Sequence, residues 1–158
     1  MQDLSGYKPE EPKELTNDAF SYKGPVNVLF ARIEESEQES EYYGTPAGSN
    51  VFSVCLEVPE DAEENAKRRV YKKWQLDSAV IDKKEKTPVH KLADWLYGAG
   101  LTFKDLDGLK KVAEQLVSKP FEANIWIIKM KGGDMVQMSA MKSPGTYGKE
   151  VGGQKVAF

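Results

Sequence analysis

Arg68-Arg69-Val70-Tyr71-Lys72-Lys73-Trp74 packs four cations and two aromatic rings into seven consecutive residues of a chain whose formal net charge is −3. In an extended chain side chains alternate, so Arg69, Tyr71 and Lys73 would share one face and Val70, Lys72 and Trp74 the other. A cationic strip carrying a ring suits a single-stranded nucleic acid, because cations follow the phosphates while a ring stacks on any exposed base. The same residues also describe a solvated edge strand whose charges oppose aggregation. Arg68, Arg69, Lys72 and Lys73 are the candidate phosphate contacts. Tyr71 and Trp74 are the candidate stacking rings. Strict alternation separates these two rings; a β-bulge near Lys72-Lys73 would reunite them, and without one Trp74 joins the core.

Further candidates lie upstream. Phe30 and Arg32 fall on one face of the run Val26–Ile33, opposite Leu29, Ala31 and Ile33, which are read as its core face. Tyr42-Tyr43 precedes Gly44, Pro46 and Gly48, so both rings sit in a loop where they could stack on bases or cover one end of the fold.

No catalytic constellation can be assembled. His90 is the only histidine and Cys55 the only cysteine, and they fall at a predicted helix start and in a predicted core strand, which argues against a zinc site or a Cys/His pair. Asp105-Leu106-Asp107-Gly108 has the middle of a calcium loop, but Phe103 stands where the first acidic ligand belongs. Gly145-Thr146-Tyr147-Gly148-Lys149-Glu150 fails the phosphate-loop spacing at Ser143 and Glu150. Neither metal nor cofactor is expected. Met130, Met135, Met138 and Met141 read as core filling.

The elements that would position these residues follow from periodicity and breaks. Residues 1–24, with Pro9 and Pro12, read as an extended or poorly ordered arm. Val26–Ile33 is a first strand after the Gly24-Pro25 break. Val51–Val58 is a second, with Phe52, Val54, Leu56 and Val58 on its core face, and the basic stretch is a third. Acidic residues gather at Glu34–Glu41 and Glu60–Glu64, both read as loops. Ser78–Lys86 is a charged connector. Thr87-Pro88 caps a helix that Gly98 and Gly100 stop, and a second helix carries Leu106, Leu109, Val112, Ala113 and Leu116 on one stripe. Two strand-like runs around Gly132-Gly133 form a hairpin. From Pro144 onward the chain reads as a flexible tail.

These elements predict a mainly β fold with a helical insertion, a five-stranded OB barrel ordered β-β-β-α-β-β over residues 25–143. Its second and third strands would form the nucleic-acid face. No apolar run approaches the ~20 residues that span a bilayer, and the first residues lack the pattern of a secretory signal, so a cytoplasmic location is expected.

The third strand ending in an aromatic segment, the helix Lys91–Leu101 and the glycine-turn hairpin together resemble a family of small bacteriophage proteins, the OB-fold single-stranded DNA-binding proteins of phage replication or recombination. The resemblance covers roughly Val26–Lys142. It implies a non-enzymatic protein that protects or presents exposed strands in the host cell cytoplasm. Its partners would be single-stranded DNA and replication or recombination proteins, without a membrane; a homo-oligomer is compatible with it. Related cellular proteins recruit partners through an acidic tail ending in phenylalanine; Gly152–Phe158 keeps the terminal Phe158 without the acids. The main alternative is an OB-fold adaptor that binds a replication or recombination protein through its acidic loops and has no affinity for DNA. A small nuclease or nuclease inhibitor is a third reading.

Overall fold

Period-two patterning builds most of this molecule. A computed structural model describes residues 1–11, 21–60, 67–130 and 132–147. In chain order, β1 (Ser21–Glu35), β2 (Asn50–Glu57) and β3 (Arg69–Gln75) precede α1 (Pro88–Gly98) and α2 (Leu106–Ser118), and β4 (Phe121–Met130) and β5 (Gly133–Lys142) follow. The strands make one antiparallel sheet in the order β3-β2-β1-β4-β5. β1 serves both halves: Asn27–Glu35 pairs with β2, and Ser21–Val26 with β4. The sheet thereby curls into a half-barrel whose edge strands, β3 and β5, approach each other, and α1 packs against both while α2 lies on β1.

β1 departs from the expected strand in two ways. It begins at Ser21, because Gly24 and Pro25 continue the pairing with Ala123 and Glu122 instead of breaking it. The register with β2 also shifts between Val28 and Phe30. This bulge leaves Leu29 43% exposed and turns Val26, Val28, Ala31 and Ile33 toward the core. The predicted core position of Leu29 is therefore wrong and Val28 takes it, since one inserted residue exchanges the faces of everything before it.

The core joins Phe52, Val54, Leu56 and Val58 of β2 to Val70 and Trp74 of β3, and to Leu92, Trp95, Leu96, Leu109, Val112 and Leu116 of the helices. Full burial of each large aliphatic side chain contributes roughly 1.5–3 kcal/mol. Cys55 is buried on the other face of β2, and burial pushes its thiol pKa up.

Capping residues set the helix ends. Thr87 Oγ1 accepts from the His90 N–H, and His90 Nδ1 accepts from the Thr87 N–H at 3.2 Å, which closes a capping box behind Pro88. At the other end the Gly100 N–H reaches Tyr97 O at 2.9 Å and the Leu101 N–H reaches Leu96 O at 3.0 Å. This Schellman closure needs the positive φ of +78° that Gly100 supplies. Asp105 caps α2 by accepting from the Gly108 N–H at 2.8 Å, which accounts for the aspartate that resembled part of a calcium loop.

The described parts of both terminal segments are more fixed than their composition suggests. Leu4 is buried, its N–H donating to Lys104 O at 2.9 Å. Pro144–Tyr147, expected to start a tail, folds back on β4: Glu122 accepts from the Gly145 and Tyr147 N–H groups, and Tyr147 is buried. The rest of the tail, residues 148–158, the arm's 12–20 and the acidic 61–66 lie outside the described residues. So do the side chains of Trp126, Met130, Met135 and Met138, whereas Met141 is buried as expected.

Where α1 crosses β5, a Cβ on Gly98 would stand 2.7 Å from Met141 O. Gly98→Ala is expected to cost about 1–3 kcal/mol, the usual range for overpacking against a fixed neighbour. A lowered urea midpoint with an unchanged slope checks it.

Candidate nucleic-acid interface

Pairing across β1, β2 and β3 aligns three residues into one transverse row: Phe30 opposite Cys55, and Cys55 opposite Tyr71. Cys55 is small and buried, and the rings that flank it have centroids 6.4 Å apart and planes inclined at 47°. Tyr71 is 62% exposed. The next row holds Arg32, Ser53 and Lys73, and Arg69 stands opposite Glu57. The guanidinium of Arg32 lies 4.1 Å from the Phe30 ring centroid, a cation–π placement that holds both side chains against the sheet.

Carboxylates accompany these cations. Arg32 is hydrogen-bonded to Glu34, and Arg69 Nε lies 3.0 Å from Glu57 Oε2. Hydrogen bonding and charge from Arg32, helped by Ser53 and Lys73, hold the Glu34 carboxyl below its ordinary range. Both pairs are solvent-exposed, and such pairs are worth only ~0–1 kcal/mol each. A phosphate can therefore replace the carboxylate at little cost.

The predicted site residues fall into separate groups. Phe30, Arg32, Arg69, Tyr71 and Lys73 share the outer face of the sheet. Trp74 does not: β3 pairs with β2 without interruption from Gln75 to Arg69, so no bulge occurs at Lys72-Lys73 and alternation sends Trp74 inward. There it is 6% exposed and packs against Phe52 and Trp95, with ring centroids 6.1 and 4.9 Å away. Its assignment as a stacking residue is corrected to a core role. Lys72, on the same side, is half-buried with its ammonium 5.5 Å from the Trp74 ring centroid; burial, and then the charge of Lys91, lower its pKa. Arg68 is half-buried just ahead of β3, its carbonyl accepting from the Val58 N–H. In the β1–β2 loop Tyr42 is 75% exposed and meets Tyr43 edge-on at 4.8 Å.

Sequence reasoning missed a cleft of about 560 Å³ between β3 and α1. Lys72 and Trp74 form its sheet side, and Lys91, Asp94 and Trp95 its helix side. Lys84 and Lys86 enter from the connector and Glu10 and Glu11 from the arm. At its base Asp94 is 4% exposed and accepts from Tyr7 Oη at 2.6 Å and the Glu10 N–H at 3.1 Å, while Lys86 Nζ lies 2.6 Å from its second oxygen. Tyr7 also stacks on His90, ring centroids 4.5 Å apart. The lysines of the connector were the available signal, but the segment read only as a charged connector. Among the described residues no group of three His, Cys, Asp or Glu could hold a metal ion, and no helix is long and apolar enough to cross a membrane. Comparison of the chain with family models, with curated proteins and with solved structures finds no match.

Two predictions separate core from surface and test the arm. Trp74→Ala is expected to cost about 3–5 kcal/mol in urea unfolding, whereas Tyr71→Ala stays within ~0.5 kcal/mol. Burial, then the hydrogen bond and charge of Asp94, push the Tyr7 phenol up to about 12 from 10.0. Because the folded value lies above the unfolded one, this contribution to arm docking is whole below pH 10 and disappears as pH rises through 12. Titration followed at 295 nm should show a late phenol that Tyr7→Phe removes; a difference curve centred near 10 contradicts the assignment.

Proposed function

We propose that this chain is a non-enzymatic single-stranded DNA-binding protein that uses the outer face of β1, β2 and β3. The observation that carries the reading is the Phe30–Tyr71 ring pair on either side of Cys55, flanked by Arg32, Arg69 and Lys73. Two adjacent rings give successive bases a stacking platform, and the three cations lie where the connecting phosphates would pass. Tyr42, exposed on the β1–β2 loop, would cover the end of that path. The sheet order and the helices between β3 and β4 support an OB barrel, whose second and third strands and first loop commonly bind oligonucleotides. In phage DNA replication or recombination, the setting implied by the resemblance, such a face would hold strands exposed between processing steps.

One observation favours the adaptor reading. Glu34, Glu35 and Glu37 line a hollow of about 360 Å³ beside Lys73, which could receive a basic surface of a protein partner.

Oligo-dT titrations followed by intrinsic fluorescence decide between the two. The full chain should bind at low salt, and its affinity should fall steeply as salt rises. Tyr71→Ala and Phe30→Ala should each weaken binding by about 5- to 150-fold, the range corresponding to ~1–3 kcal/mol per stacked base. Absence of binding at low salt by the full chain rejects the single-strand reading in favour of the adaptor.

A further inference from the structure

The cleft between β3 and α1 has a lining of opposite charges drawn from two sources. Five lysines, Lys72, Lys73, Lys84, Lys86 and Lys91, face four carboxylates, two of which, Asp82 and Asp94, belong to the connector and α1. The other two, Glu10 and Glu11, come from the N-terminal arm. Glu10 Oε1 lies 2.7 Å from Lys86 Nζ, and Glu11 Oε2 lies 2.9 Å from Lys142 Nζ.

These two contacts differ in kind from the rest of the arm's anchorage. Leu4 is buried, and Tyr7 is fixed by Asp94 and His90. Glu10 and Glu11, by contrast, have side chains 68% and 53% exposed, and pairs so open to water hold weakly. Their lysine partners are much less exposed, at 18% for Lys86 and 11% for Lys142. A largely buried ammonium is costly without a counter-anion. Lys86 would keep Asp94 if Glu10 left, but Lys142 would lose the carboxylate that faces it. The arm's acids can thus be exchanged for another anion far more easily than simply withdrawn. With both carboxylates gone, the lining would hold five lysines against two acids. Burial and the nearby charge of Lys91, which lower the Lys72 pKa, point the same way.

We infer that this cleft is a phosphate-binding site, and that Glu10 and Glu11 occupy it as displaceable stand-ins for phosphate groups. Lys86 and Lys91 of the cleft lining would receive the phosphates, with Lys142 of β5, the partner of Glu11, next to them. Lys73 and Gln75 line both this cleft and the hollow on the outer face, so a strand stacked on Tyr71 can continue around the edge of β3 into the cleft. Only this last step, which makes the ligand a polynucleotide, rests on the single-strand reading above.

The test compares the parent with an E10Q/E11Q double variant of the full chain, followed by the fluorescence of Trp74 and Trp95 beside the cleft. Inorganic pyrophosphate is the first probe and oligo-dT the second. The variant should bind pyrophosphate about fivefold more tightly, the effect of removing two exposed competing ion pairs. Adding Lys91→Gln should abolish the gain. An E39Q/E114Q variant, which makes the same change of net charge elsewhere, should show no gain. With oligo-dT the slope of log affinity against log salt should steepen by about 0.7 for each phosphate newly engaged. Equal pyrophosphate affinity in parent and E10Q/E11Q, or an equal gain in E39Q/E114Q, overturns the cleft site. If Tyr71→Ala still weakens oligo-dT binding in that event, the sheet-face reading stands alone. Tighter pyrophosphate binding by a chain that ignores oligo-dT keeps the cleft as a site for small phosphates and removes the polymer.

Discussion

The unbroken antiparallel pairing of β2 with β3, from Val51 opposite Gln75 to Glu57 opposite Arg69, governs almost everything else on this side of the molecule. With no residue inserted, each side chain of β3 has one permitted face. Val70 and Trp74 enter the core, and Arg69, Tyr71 and Lys73 face outward. Lys72 is the exception that alternation forces. A cation is placed on the inward side, where it reaches the mouth of the cleft beside Trp74 instead of the packed interior. Its long apolar stem can lie along the ring, and burial of its ammonium beside the cleft lowers its pKa. The basic stretch is therefore divided between two surfaces, a ring platform outside and a lysine-lined cleft inside, by geometry that a single insertion would reverse.

A second constraint is the burial of Asp94. A carboxylate so enclosed is tolerable only when its lone pairs are satisfied, and its three donors come from two parts of the chain: Lys86 from the connector, Tyr7 Oη and the Glu10 N–H from the arm. Satisfying one acid thus ties both the arm and the connector to α1. The connector is shaped further by Asp82, which accepts from the Lys84 and Lys86 N–H groups at 2.8 and 3.0 Å. This local turn presents Lys86 to α1.

Much of this was legible wherever neighbouring residues decide the outcome. Phe52, Val54, Leu56 and Val58 are buried as their alternation required, Thr87-Pro88 opens α1, and Leu109, Val112, Ala113 and Leu116 form the buried stripe of α2. Arg69, Tyr71 and Lys73 share a face for the same local reason. What was not legible depends on distant partners. Nothing near Leu29 announces a bulge, which arises where β1 passes from pairing with β4 to pairing with β2. Tyr7 has no visible role until Asp94 is beside it, and Tyr147 none until Glu122 receives its N–H. The Gly24-Pro25 pair looked like a break because Pro lacks an N–H, yet a strand accommodates it where no donor is required.

The division of β1 between two partners has a consequence for how the chain is made. Its Asn27–Glu35 half can pair with β2 as soon as the loop and β2 that follow it are synthesised. Its Ser21–Val26 half must wait for β4, which comes after both helices. Closing so long a stretch of chain is slow relative to forming a hairpin. A nascent chain on the ribosome therefore passes through an interval in which β1, β2 and β3 can already be sheet while the backbone of Ser21–Val26 is an open edge. An open edge pairs readily with any other strand. That edge stays open until β4 is complete.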